Sequence, residues 1–223
     1  MLLELVFGLP ALAAIGWGLT LDEPAGFIAG FLAGALAVAW MTVRDEVPGY
    51  LQTWRQGAEG EWQTHKEITS LVGWHVVEDV DTGHGNYDHI IVAPAGVYLL
   101  ESKKLTGTVE IRDAKALLRR RHLRRPISLR KVGTQVRGAS TDIGEYIGRR
   151  CGHKPWVQGV VVLWSEFPQK IVEADRIVYL NGRELQHWLR SQPDQLDSST
   201  VVSIAEALTT LKIEGDARAA DAC

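Results

Sequence analysis

Asp88, Glu101 and Lys103 flank a short turn, Pro94-Ala95-Gly96, that separates two apolar runs between positions 88 and 103. Turn chemistry between short apolar runs predicts a β-hairpin. Side chains alternate faces along a strand, so Glu101 and Lys103 share one face. If Asp88 pairs with Glu101, then Ile90 faces Leu99, Val92 faces Val97, and Ala93 to Gly96 form a four-residue connection. That register gathers one aspartate, one glutamate and one lysine at the open end of the hairpin. A slip of one residue turns Asp88 to the other face. Two carboxylates and an ammonium beside an apolar core are costly, unless a metal ion and an anionic substrate use them. At a solvated strand end the same residue types form ordinary surface ion pairs.

The neighbouring elements must position these groups. Gly57-Ala58-Glu59-Gly60-Glu61 opens a helix predicted to reach Leu71 or Val72, with Trp62, Ile68, Leu71 and Val72 on its apolar side. Glu61 falls in the predicted first turn, where a carboxylate also simply suits the helix dipole. Trp74 to Val80 reads as a strand, Asp81 to Tyr87 as a turn, and Thr108 to Arg112 as a third strand adjacent to the hairpin. A helix is expected from Gly133 to Arg150, with Gln135 in its first turn, although Gly138, Gly144 and Gly148 each weaken it by roughly 1 kcal/mol relative to Ala. Trp156 to Trp164 reads as a strand buried on both faces, and Arg176 to Leu180 as another strand. Asn181 caps a helix from Gly182 to Arg190. A last amphipathic helix covers Ser199 to Ile213, with fraying expected from Asp216 to Cys223. This order suggests α+β or α/β with a mixed sheet.

At 223 residues, one domain plus an appendage is the natural expectation. The net charge of -3 gives no overall bias toward nucleic acid, but the charge is unevenly spread. Lys115, Arg119, Arg120, Arg121, Arg124, Arg125, Arg130 and Lys131 crowd the stretch from Arg112 to Lys131, against the single acid Asp113. A phosphate backbone suits such a segment, and so does an anionic lipid surface; a solvated basic loop is the plain alternative. The two cysteines, Cys151 and Cys223, make neither a metal-ligand spacing nor a disulfide framework.

Positions 5–21 and 25–43 are two runs free of charged residues, separated by Asp22-Glu23-Pro24. As a helix the second spans about 28 Å, close to the hydrocarbon thickness. The first is shorter and carries Pro10, and local bilayer thinning accommodates it. Both are expected to be transmembrane helices. No basic region precedes the first, which argues against a secretory signal. Gly26, Gly30 and Gly34 give the second a small-residue stripe suited to helix–helix association, including self-association. The connecting turn has no Lys or Arg, whereas Arg44 and Arg55 follow the second run. Both termini are therefore expected in the cytoplasm, with residues 44–56 as a linker.

Taken together, Gly57-x-x-Gly60-Glu61, Asp88-His89, Gly96-Val97 and Glu101-x-Lys103 followed by Gly107 resemble the nuclease-related domain (NERD) family, placed in the PD-(D/E)XK nuclease superfamily. Tyr87 stands where that family usually has isoleucine before Asp-His. The resemblance covers roughly Gly57 to Trp164. It implies a restriction-endonuclease-like α/β fold with a mixed sheet flanked by helices. It also implies that Asp88 and Glu101 ligate Mg²⁺ (or Mn²⁺), with the Ser102 backbone carbonyl as a further ligand. Glu61 would reach the ion directly or through a water, and Lys103 would orient the attacking water or stabilise charge on the phosphate. Gln135 matches a glutamine of a later helix in that family.

The expected organisation is a membrane hairpin over 1–43, a linker over 44–56, the nuclease-related domain over 57–190, and a C-terminal helix with a frayed tail over 191–223. The expected function is a membrane-anchored, metal-dependent nuclease whose basic segment grips DNA or RNA. The competing reading is a binding module for nucleic acid or a membrane surface, with a nuclease fold and no turnover. A third is a zinc site built from His84, His89 and nearby aspartates. Strand alternation turns His89 away from Asp88, which favours a packing or hydrogen-bonding role for it.

Overall fold

The computed structural model describes residues 49–81, 86–121 and 123–221, and the side chains of 57–80, 86–121 and 123–217. Its elements in chain order are α1 (Gly49–Ile68), β1 (His75–Asp81), β2 (Asn86–Ala93), β3 (Gly96–Lys103), β4 (Thr108–Arg112), β5 (Lys115–Arg119), β6 (Ile127–Ser128), α2 (Arg130–Cys151), β7 (Val157–Leu163), β8 (Ile171–Ala174), β9 (Ile177–Asn181), a 3₁₀ turn (Gly182–Glu184), α3 (Leu185–Arg190) and α4 (Ser198–Asp221). Six strands form one mixed sheet in the order β1-β2-β3-β7-β9-β8. The pairs β1–β2, β2–β3 and β8–β9 are antiparallel, whereas β3, β7 and β9 run parallel.

Helices cover both faces of this sheet, so its central strands are apolar on both sides. On one face Ile90, Val92, Val97, Leu99, Val161 and Tyr179 pack with α2, α4 and the small sheet. On the other face Ile91, Tyr98, Leu100, Val160, Val162 and Leu180 pack against Ile68 at the end of α1, Leu71 just beyond it, and Leu185 and Leu189 of α3. Each such aliphatic side chain contributes about 1.5–3 kcal/mol when fully buried. Both faces gain comparably, so burial alone does not choose the hairpin register; the tight turn does.

That turn is shorter than the sequence suggests. Ala93 pairs with Gly96, which leaves Pro94 and Ala95 as a two-residue connection instead of four. The third strand also departs from expectation. Thr108–Arg112 does not join the main sheet but forms a separate three-stranded sheet in the order β4-β5-β6. Gly107 permits that departure: its φ is +128°, and a Cβ there would stand 2.3 Å from the Arg119 carbonyl oxygen. The basic stretch is therefore partly strand, because Lys115–Arg119 pairs with β4 through Val109–Leu118 and Ile111–Ala116.

Several boundaries shift. α1 begins at Gly49, inside the stretch expected to be a linker, and ends at Ile68. Trp62 is 61% and Val72 92% exposed, so neither belongs to its apolar side. α2 starts three residues before the expected Gly133 despite its glycines. Two of them suit close approach: a Cβ at Gly144 would lie 3.4 Å from the Pro155 carbonyl, and one at Gly148 would lie 3.2 Å from Lys154 Cβ. α4 continues through the stretch expected to fray, and Asp197 accepts from Thr200 N at 2.9 Å at its start. Asn181 accepts from Arg183 N at 3.1 Å, as expected of a cap.

Among the described residues, no helix is long and apolar enough to cross a membrane. The runs 5–21 and 25–43, with Gly26, Gly30 and Gly34, lie outside the described residues.

Candidate active site

The hairpin register brings the sequence-predicted carboxylates together. Its ladder runs from Ala93–Gly96 to His89–Leu100, and Asp88 and Glu101 are the next residues outward on each strand. Asp88 Oδ2 accepts from the Ser102 amide at 2.8 Å. Lys103 Nζ lies 2.5 Å from Glu101 Oε1, with both side chains partly exposed. Burial pushes the Asp88 carboxyl up to about 7, reinforced by the negative charge of Glu101 and, more weakly, of Glu61. The Ser102 amide and Lys103 pull it the other way without cancelling the rise.

Glu61 approaches from α1. It lies in the helix interior and is exposed, not in the first turn as the sequence suggested. Its charge reaches Asp88, yet Glu61, Asp88 and Glu101 do not converge to mutual ligand-atom distances within 4.8 Å. Among the described residues the set that does is His65, Glu78 and His89. Of the zinc grouping expected around His84 and His89, His89 belongs to this set, and His84 lies outside the described residues.

A hydrogen-bonded hub ties α1 to the strands that carry the site. Thr64, fully buried on α1, accepts from Ser102 Oγ at 2.7 Å and from Trp164 Nε1 at 2.8 Å, and it donates to the Gly60 carbonyl at 3.2 Å. Strand alternation explains the division of labour. Glu101 and Lys103 point to the α2 face, while Ser102 between them points to α1 and is locked by Thr64. Sequence reasoning missed Thr64; the available signal was a hydroxyl three residues after Glu61 on the same helical face.

Opposite Glu101, α2 completes a groove of about 220 Å³ lined in part by Tyr87, Glu101, Gln135, Gly138 and Asp142. Gln135 thus faces the candidate site from one turn deeper in α2 than expected. Asp142 is a further acid in this groove, seven residues beyond Gln135 and so on the same face. A larger concavity of about 820 Å³ lies past the carboxyl ends of β3, β7 and β9, between Lys104, Trp164, Asn181 and Arg183. It contains none of the clustered carboxylates, so the smaller groove is the better candidate for chemistry.

Residues 56–164 match the family model NERD, the nuclease-related domain. This supports placing the segment in that family and suggests a nuclease-related function. No curated protein and no solved structure matches the chain.

The matched segment contains α1 from Gln56 onward, β1 to β7 and α2, hence every candidate site residue. β8, β9, α3 and α4 follow it and complete the sheet and its cover. Within the segment, Gly60 lets α1 approach β3 closely, since a Cβ there would lie 3.2 Å from Lys104 N. The Lys and Arg residues from Arg112 to Lys131 divide into two groups. Arg119 is held by Glu110 at 3.1 Å, and Glu110 also holds Arg112 at 2.8 Å. Lys115, Arg121, Arg124, Arg125, Arg130 and Lys131 are exposed, and Arg120 is half-buried. Lys131 stands four residues before Gln135, on the α2 face that borders the groove.

Proposed function

We propose that the chain hydrolyses phosphodiester bonds of DNA or RNA at the open end of the β2–β3 hairpin, using a divalent cation. One observation carries the reading. Asp88 and Glu101 converge beside Lys103 in a partly buried setting where their repulsion and desolvation raise Asp88 to about 7. Its carboxylates outnumber the single ammonium of Lys103, and their oxygen donors suit a hard cation such as Mg²⁺ or Mn²⁺. Asp88 and Glu101 would hold the ion, which supplies Lewis acidity and an activated water when bound; the Ser102 carbonyl and Glu61 are the secondary candidates. Lys103 offers an ammonium for the charge that develops on the phosphate. Ser102, through its amide, orients the Asp88 carboxylate. Exposed Lys131, with Arg130 and the Arg121 to Arg125 stretch, would draw the polyanion toward the groove.

Positions 5–43 would attach this domain to the inner face of a membrane, a reading that rests on their length, apolarity and flanking charge. The test is cleavage of single- and double-stranded DNA and RNA by the purified chain with Mg²⁺, Mn²⁺ or chelator. Cation-dependent products that vanish in Asp88→Ala and Lys103→Ala are expected. Equal cleavage by both variants defeats the assignment. Salt-sensitive binding without products supports the second reading, a binding module, whose physical basis is the exposed basic stretch.

A further inference from the structure

A second cluster of ligand-type side chains lies on the opposite face of the hairpin from Glu101 and Lys103. It draws on three elements: His65 from α1, Glu78 from β1 and His89 from β2, with Glu78 and His89 directly paired across the strands. His65 Nδ1 stands 2.5 Å from Glu78 Oε1, and His89 Nε2 stands 3.5 Å from the same oxygen. One ligand atom from each of the three lies within 4.8 Å of the other two. We infer that His65, Glu78 and His89 form a binding site for a transition-metal dication, Zn²⁺ being the best match, distinct from the Asp88–Glu101 site.

The spacing fits that chemistry. Ligand atoms about 2.0–2.1 Å from a tetrahedral zinc are roughly 3.3 Å from one another. The His89–Glu78 separation is already close to this value. The His65–Glu78 separation is that of a hydrogen bond, and it would open by less than about 1 Å when a cation takes the proton's place. The donor set also discriminates. Two imidazoles and one carboxylate favour zinc over magnesium, whereas the oxygen donors of Asp88 and Glu101 favour the reverse.

Burial sets the roles. The His89 side chain is 6% exposed, and Nε2 is the nitrogen it turns toward Glu78. His65 and Glu78 are 46% and 34% exposed, so an ion can enter from solvent and keep a position for water. The site would clamp α1 to the β1–β2 edge. His65 lies one turn beyond Glu61, and His89 adjoins Asp88 in sequence. Occupancy would thus stiffen α1 and β2, two of the three elements that carry the candidate catalytic carboxylates. The ion would bind whether or not those carboxylates turn over a substrate.

The test uses the full chain, stripped with chelator and titrated with Zn²⁺ alone, with bound metal and thermal midpoint measured together. Co²⁺ in place of zinc reports four-coordinate nitrogen and oxygen ligation through its visible absorption. The wild type should retain one equivalent, and Asp88→Asn should retain it with the same cobalt spectrum. His65→Gln and Glu78→Gln should each weaken binding roughly tenfold or more and abolish the thermal shift. His65 is exposed, so its replacement leaves the fold intact, which circular dichroism checks. Unchanged zinc affinity in both of these variants, loss of the ion in Asp88→Asn, or no binding by the wild type would each overturn the inference.

Discussion

The Ser102 amide donates to Asp88 Oδ2 at 2.8 Å across the open end of the hairpin. A peptide N–H aimed at a carboxylate ordinarily lowers its pKa, yet Asp88 is raised to about 7 because burial and Glu101 outweigh the amide. The bond therefore orients a carboxylate whose environment favours the neutral form.

A pH dependence of stability follows. The unfolded chain releases this proton near pH 4, whereas the metal-free native state holds it to about 7. The native state binds more protons over that interval, so Asp88 lowers stability as pH rises from 4 to 7 and adds no further change above it. The contribution amounts to at most about 4 kcal/mol. Asp88→Asn should flatten that part of the profile and be the more stable protein at pH 8. Denaturant melts of both proteins in chelator between pH 4 and 8 check this.

Glu101→Gln should lower the Asp88 pKa, because it removes the carboxylate that raises it more than Glu61 does. Burial remains, so the value should stay above that of an ordinary aspartate. NMR titration of the Asp88 carboxyl carbon reads the shift directly. No movement would mean that the two carboxylates do not face each other.

Thr64→Val keeps the shape of the side chain and removes the oxygen that accepts from Ser102 Oγ and Trp164 Nε1. Each buried donor left without a partner costs about 1–3 kcal/mol. A destabilisation of about 2–4 kcal/mol is expected from denaturant melts. If the proposed nuclease activity is present, its rate should fall more than substrate affinity, since the hub positions β3 and does not touch the groove.

Among the basic residues, Lys131→Ala should weaken nucleic-acid binding and reduce the salt slope by about one, whatever the sequence of the ligand. Arg119→Ala should change the slope less, because Glu110 already holds that guanidinium. Fluorescence anisotropy over a series of salt concentrations separates the two. Equal effects would spread the binding face over the whole basic stretch.

Local periodicity determined much of this protein before any coordinates. Strand alternation placed Glu101 and Lys103 on one face and turned His89 away from Asp88. A turn between two apolar runs set the pairing of Ile90 with Leu99 and of Val92 with Val97. The continuous apolar run near Val160 announced a strand covered on both sides. All of these depend on neighbours a few residues apart.

Tertiary structure alone decided the rest, because it depends on contacts between distant parts of the chain. Gly107 sends β4 out of the main sheet, which no period-two pattern encodes. Thr64 meets Ser102 and Trp164, partners 38 and 100 residues away. His65, Glu78 and His89 come from three elements whose packing, not their spacing, brings ligand atoms within reach of one ion. The raised Asp88 likewise needs a burial depth that no short window of sequence contains.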